Sequence, residues 1–116
     1  MKMYTNSEQT AKLIELGFEK PKGWYMDGVT NNINLYVNID ENPMMFNYSI
    51  GELIEMLPRG IFRNGDYFNL CIFTNQCTWW VKYSAFLSNE EYESYANELI
   101  DALYDMVVKL KEEGVI

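Results

Sequence analysis

Alternating apolar and polar positions between Tyr67 and Tyr83 predict a long β-hairpin in the second half of the chain. Its two strand-like segments contain neither glycine nor proline, and they meet at a short Asn75-Gln76 connection. Counting outward from that connection pairs Leu70 with Val81. One face of the ribbon is then wholly apolar and must be covered, with members Phe68, Leu70, Ile72, Trp79, Val81 and Tyr83.

A further strand precedes this hairpin. Asn64-Gly65 is the strongest short signal for a two-residue hairpin turn, and it places Ile61 opposite Phe68 and Arg63 opposite Asp66. Ile61 thereby joins the apolar face. The sequence predicts a three-strand meander over residues 59–63, 66–74 and 77–84.

The segment before residue 49 predicts a first antiparallel set. Ile33, Leu35, Val37 and Ile39 alternate with polar residues, and a four-residue turn pairs Ile39 with Met44. A short strand over 24–26 precedes them. With this set, the sheet has five or six strands.

Three helices are predicted from capping-box spacings. The first begins at Thr5-x-x-Glu8 and ends at Gly17; the second begins at Ser49-x-x-Glu52 and ends at Pro58. The third begins at Ser88-x-x-Glu91 and ends at Gly114, which makes it about 25 residues and roughly 37 Å long. Its expected core stripe comprises Tyr92, Ala96, Leu99, Leu103, Met106, Val107 and Leu110.

These elements predict a single α+β domain over residues 1–116. We expect an antiparallel sheet of five or six strands, arranged as two meanders separated by a short helix. The N-terminal helix and the long C-terminal helix pack on this sheet. A hydrophobic content of 48% suits one core.

The charge of the chain limits its partners. Nine Lys and Arg residues against 17 Asp and Glu residues give a net charge of -8, which repels nucleic-acid phosphates and anionic membrane surfaces. No stretch approaches the roughly 20 apolar residues of a membrane span, and the start does not resemble a signal peptide. We therefore expect a cytoplasmic protein that binds neither nucleic acid nor membrane.

The sequence offers little catalytic chemistry. The chain contains no histidine, which removes the commonest general acid and base, and it shows no catalytic, metal or cofactor motif. The acidic turn at 40–42 lacks the spacing of a calcium loop. Cys71 and Cys77 are expected as reduced, buried thiols on opposite faces of the hairpin. A protein without enzymatic activity and without cofactors is the expectation.

Two apolar surfaces exceed what a core needs. The back of the meander carries Phe62, Tyr67, Cys71, Phe73 and Trp80, and the C-terminal helix has a second stripe of Ile100, Tyr104 and Val108. Either the helices of the chain cover these side chains, or a second copy or a protein partner does. The expected interaction surface comprises Phe62, Tyr67, Phe73, Trp80, Ile100, Tyr104 and Val108.

Two stretches, YSIGELIEMLP and ELIDALYDMVVKLKEEGVI, resemble small acidic proteins of unknown function from bacterial prophages and mobile elements. In element order the chain is also similar to secretion-chaperone-like folds, although the strand at 59–63 departs from their simplest version. This resemblance implies a small acidic dimer that grips extended segments of another protein. The sequence thus predicts a protein-binding module, namely an adaptor, a chaperone-like protein or an inhibitor. The alternative is a small carboxylate-dependent enzyme or small-ligand-binding protein, for which converging acids in a large pocket would be the sign.

Overall fold

The computed structural model describes residues 1–21, 47–63, 65–85 and 91–116, which form an α+β fold with three helices and a four-stranded antiparallel sheet. The described elements are, in chain order, α1 (Ser7–Glu15), α2 (Ile50–Met56), β1 (Gly60–Arg63), β2 (Asp66–Asn75), β3 (Thr78–Ser84), β4 (Glu91–Ala96) and α3 (Leu99–Glu112). Most of the predicted first meander falls outside the described residues. A sheet of five or six strands therefore stays a prediction.

The two short helices begin at capping boxes. The Ser49 hydroxyl accepts from the Glu52 amide while the Glu52 carboxylate accepts from the Ser49 amide, as predicted for α2. For α1 the predicted Thr5–Glu8 pair is wrong: Asn6 and Gln9 form the box instead. The Thr5 hydroxyl is instead buried and accepts from the Tyr48 amide, so it is not available as a cap.

The sheet runs in the order β1-β2-β3-β4. Ile61 lies opposite Phe68, which confirms the predicted pairing around Asn64-Gly65. The predicted pairing of Leu70 with Val81 is wrong, since Leu70 lies opposite Tyr83. The turn is formed by Gln76 and Cys77, whose φ angles of 50° and 65° are both positive, as a tight hairpin turn matching the strand twist requires.

That shift moves the register by two residues, so the side chains that remain paired keep their predicted faces, whereas Cys77 moves from the strand into the turn. Val81 and Tyr83 are fully buried on the inner face, together with Phe68. Arg63 at one edge reaches over the ring of Tyr92 at the other, 5.6 Å from its centroid. Because four flat strands would hold these edges roughly 14 Å apart, the sheet must curl around its inner face.

The predicted long C-terminal helix is wrong in its first part. Residues 91–96 form β4, which pairs with β3 and places Tyr92 opposite Tyr83 and Ser94 opposite Val81. The helix then covers 14 residues rather than about 25. Ser94 connects the two elements, because its buried hydroxyl donates to the carbonyl of Ala102 at 2.7 Å.

Helix α3 forms the centre of the core. It packs on β3 and β4 on one side and on α2 on another. Seven of its 14 residues are buried, namely Leu99, Ile100, Ala102, Leu103, Met106, Val107 and Leu110. Through these residues α3 packs on the inner face of the described sheet, the face that the sequence predicted to be apolar.

A buried polar network joins the N-terminal segment to this core. The Thr10 hydroxyl donates to the Asn47 side chain at 2.6 Å and lies 2.7 Å from the Thr5 hydroxyl. The Thr5 amide in turn donates to the carbonyl of Tyr48 at 2.9 Å. These bonds satisfy polar groups that would otherwise be costly to bury.

Candidate interaction surface

The outer face of the sheet, opposite α3, presents aromatic side chains to solvent. Side chains alternate between the two faces of a strand, so the neighbours of the buried Phe68 and Val81 point outward. Among them, Phe62 is 74% exposed, Tyr95 60% and Tyr67 50%. The described helices α2 and α3 lie on the inner side of the sheet, and these rings are left uncovered.

Three of these aromatic residues form a row across β2, β3 and β4. Phe73 lies opposite Trp80, and Trp80 lies opposite Tyr95. The rings of Phe73 and Trp80 are nearly parallel, with centroids 6.2 Å apart, and those of Trp80 and Tyr95 are 4.7 Å apart. Each ring restrains its neighbour, so the row is a preorganised apolar surface.

A second aromatic pair lies towards the other end of β2. The Phe62 and Tyr67 rings are 6.4 Å apart, on paired positions of β1 and β2. The Tyr67 ring lies across Gly60, where a Cβ atom would overlap it. Glycine at this position therefore allows the ring to lie flat over the strand, a known way to shield a glycine in a sheet.

Polar side chains separate the two aromatic groups. Tyr67 and Phe73 are six residues apart on one strand, about 20 Å, and Asn69 and Cys71 lie between them on the same face. Lys82, opposite Cys71, forms an ion pair with Glu93 at 3.8 Å. The outer face thus has apolar ends and a charged middle. We call it the outer aromatic face, defined by Phe62, Tyr67, Phe73, Trp80 and Tyr95.

The structure places four of the predicted surface residues on this face as two separate pairs, Phe62 with Tyr67 and Phe73 with Trp80. The three predicted surface residues of the C-terminal helix are buried or partly buried instead. Ile100 is fully buried, so its assignment to the surface is wrong. Tyr104 and Val108 are partly buried and pack against the core. The second stripe faces inward because α3 lies between the sheet and α2 and therefore has apolar neighbours on more than one side.

Sequence analysis missed Tyr95, which it placed within the C-terminal helix. The available signal was weak: Tyr92 and Tyr95 favour strands, but residues 92–96 do not alternate between apolar and polar side chains. The register of β4 puts Tyr95 on the outer face.

The cysteines are free thiols, and both are exposed. Their predicted burial is wrong for two reasons. Cys71 lies on the outer face, which the described helices do not cover, and Cys77 lies in the turn itself. No pair of cysteines in the described segments forms a disulfide.

Three acids border one small groove in the described segments, the nearest feature there to the large pocket with converging acids that would be the sign of the alternative function. An open groove of about 260 Å³ is bordered by Glu19, Glu52 and Glu55, but Glu52 is held by the capping box of α2. Across the described residues, no group of three potential ligands could hold a metal ion. None of the described helices has the length and apolar character to cross a membrane.

The outer aromatic face is thus the feature of this chain that most suggests a function. Comparisons of the chain with protein-family models, with curated proteins and with solved structures found no match.

Proposed function

We propose that the protein is a protein-binding module that contacts its partner through the outer aromatic face. The observation that supports the proposal most directly is the exposure of four aromatic side chains on one side of the sheet, with the partly buried Trp80 between two of them. Exposed apolar patches of this kind mark interaction sites on monomers. Aromatic residues are also the side chains that contribute most to binding energy at protein interfaces.

The row of Phe73, Trp80 and Tyr95 favours binding because its side chains lose little conformational freedom when a partner binds. Phe73, Trp80 and Tyr95 already restrain one another through ring contacts. A surface whose side chains are held before binding loses less conformational entropy on association.

The negative net charge of the chain favours a basic partner. The net charge of -8 attracts cationic surfaces and speeds their encounter, and it disfavours pairing of two identical acidic chains. We therefore favour a separate basic protein over a homodimer. Its role would be that of an adaptor, a chaperone-like protein or an inhibitor. Free exposed thiols suit a reducing compartment, so the proposal includes a cytoplasmic location.

Affinity capture from a lysate of the encoding organism, followed by mass spectrometry, tests the proposal. The variants Phe73→Glu and Tyr95→Glu place a charge in the aromatic row, and we expect each to lower recovery of a captured protein at least tenfold. Ile54→Glu is the matched control, because it introduces the same charge at an exposed apolar position of α2, away from the sheet. Equal recovery by all three variants would contradict the proposal.

A further inference from the structure

The outer edge of β1 has backbone groups that point away from the sheet. The register of β1 and β2 pairs Arg63 with Asp66 and Ile61 with Phe68, and hydrogen-bonded pairs alternate with non-bonded pairs along an antiparallel ladder. The bond from the Leu70 amide to the Arg59 carbonyl, at 3.0 Å, continues the same alternation. The N–H and C=O groups of Gly60 and Phe62 therefore point away from β2, in the plane of the sheet. Strand β1 is an edge of the described sheet.

A groove of about 490 Å³ runs along this edge. All four residues of β1 border it, and its far wall is the segment that follows α3, with Glu113, Val115 and Ile116. That segment is fixed in place by a bond from the Val115 amide to the Leu110 carbonyl, at 2.8 Å. Within the described part of the sheet, an unpaired strand edge thus lies beside a preformed groove with apolar side chains.

We propose that this edge binds an extended, basic segment of a partner protein, which adds to the sheet as a strand next to β1. The proposal rests on the protein-binding function proposed above and specifies how the partner binds. Main-chain bonds to Gly60 and Phe62 would hold the segment, as in other cases of strand addition.

The environment of the groove defines the side chains that such a segment needs. Alternate residues of an added strand would point to the inner side, towards Ile61 and Val115, and to the outer side, towards Phe62. Apolar residues fit the first set. Pro58 before β1 and the end of β1 at Arg63 limit the paired length to about four residues.

Charge complementarity indicates that the segment is basic. Among the described residues, Glu113 has no ion-pair partner, whereas the neighbouring Glu112 pairs with Lys12 at 3.7 Å. The Arg63 guanidinium is directed over the Tyr92 ring. Arg63 borders the same groove and keeps its positive charge, so the preference for a basic segment comes from the exposed Glu113 together with the net charge of -8 of the whole chain.

The variants Phe62→Pro and Phe62→Ala separate backbone from side-chain binding. Both remove the aromatic ring, but proline also removes the outward amide and leaves the bonds between β1 and β2 intact. The probe is the acetylated and amidated peptide Lys-Val-Thr-Val-Thr-Val-Lys, titrated into ¹⁵N-labelled protein. We expect slower hydrogen exchange at the Gly60 and Phe62 amides, and about tenfold weaker binding to Phe62→Pro than to Phe62→Ala.

A second measurement keeps the test valid if Phe62→Pro fails to fold. The same peptide, N-methylated at alternate residues so that it cannot donate to β1, should bind wild-type protein at least tenfold more weakly. A version with Glu in place of both Lys residues should also bind more weakly. Equal binding of plain and methylated peptides, or of basic and acidic ones, would overturn the proposal.

The outcomes separate this inference from the general function. If Phe73→Glu and Tyr95→Glu abolish capture of a partner while Phe62→Pro behaves like Phe62→Ala, the outer aromatic face binds without strand addition and this inference is wrong. If light scattering shows a dimer that Phe62→Pro dissociates, the edge binds a second copy and the commitment to a basic partner is wrong.

Discussion

Two buried tyrosines show how single residues connect distant parts of this chain. Tyr83 is fully buried in the sheet, and its hydroxyl donates to the Pro58 carbonyl at 2.6 Å. Tyr48, 1% exposed, donates to the carbonyl of Glu19. Burial raises the pKa of both phenols, and for Tyr48 the charge of Glu52 adds to the effect and brings the pKa to about 12.

These shifts predict a loss of stability in alkali. A phenol whose pKa is higher in the folded than in the unfolded state stabilises the fold below pH 10, and this contribution declines as the pH rises towards the folded pKa. For Tyr48 we expect a loss of about 1 kcal/mol by pH 11. Urea unfolding at pH 8 and 11 measures it, and Tyr48→Phe should flatten the dependence. If the exposed-site control Tyr95→Phe flattens it equally, the assignment to Tyr48 is wrong.

At the residue scale, the sequence predicted burial well where one apolar face was sufficient. Phe68, Val81 and Leu103 are buried as expected. Cys71 was predicted to be buried and is exposed, whereas Ile100 was predicted to be exposed and is buried. Burial at both positions depends on which other elements cover that side of the strand or helix. Periodicity assigns a side chain to a face, but it does not reveal whether another element packs on that face.

Strand β4 was predicted as part of a helix because the spacing of its apolar residues fits both kinds of element. Tyr92 and Ala96 are four residues apart, and such positions share a face both in a helix and in a strand. Residues Leu99 and Leu103 then continue the helical spacing, so the apolar stripe alone cannot distinguish the two. Pairing with the edge of β3, a tertiary contact, decides the conformation.

The hairpin turn gives a prediction at the same scale. Gln76 and Cys77 both adopt positive φ, which is costly for residues with a side chain. Gln76→Asn combined with Cys77→Gly supplies the preferred residues for this turn and should raise the free energy of unfolding by about 1 kcal/mol. A urea midpoint that increases without a change in slope would be the expected result.

The control for this prediction is Gln76→Gly alone. It creates Asn-Gly at positions 75–76, which is the ideal turn for the register that the sequence predicted. A larger gain in stability from this control than from the double variant would argue for the predicted register over the observed one.

The protein carries an excess of acidic charge, and the ion pairs of its described residues are weak. The described pairs Lys2–Asp101, Lys12–Glu112 and Lys82–Glu93 have N···O distances of 3.4, 3.7 and 3.8 Å and involve partly exposed side chains. Pairs of this kind contribute about 1 kcal/mol or less. Repulsion among the acidic residues should therefore destabilise the fold by more than these ion pairs stabilise it, because the net charge is -8.

Salt is thus expected to stabilise the fold. Raising NaCl from about 0.05 to 0.5 M shortens the screening distance to a few ångström and weakens repulsion between like charges. The urea midpoint at pH 7 should rise. The same comparison closer to the isoelectric point of about 4.4 should show a smaller gain, and a midpoint that falls with salt at pH 7 would show that attractive pairs dominate.

The order of the strands also has a kinetic consequence. Strands β1 to β4 follow one another along residues 60–96, so every pairing in the described sheet joins neighbours in sequence. The N-terminal segment instead closes long loops: Thr5 bonds Tyr48 across 43 residues, and Gln9 bonds Asp101 across 92. Closing such loops costs entropy before contacts compensate for it. We expect the meander to form early in folding and α1 to dock last, so that release of α1 is the first step by which the native protein opens.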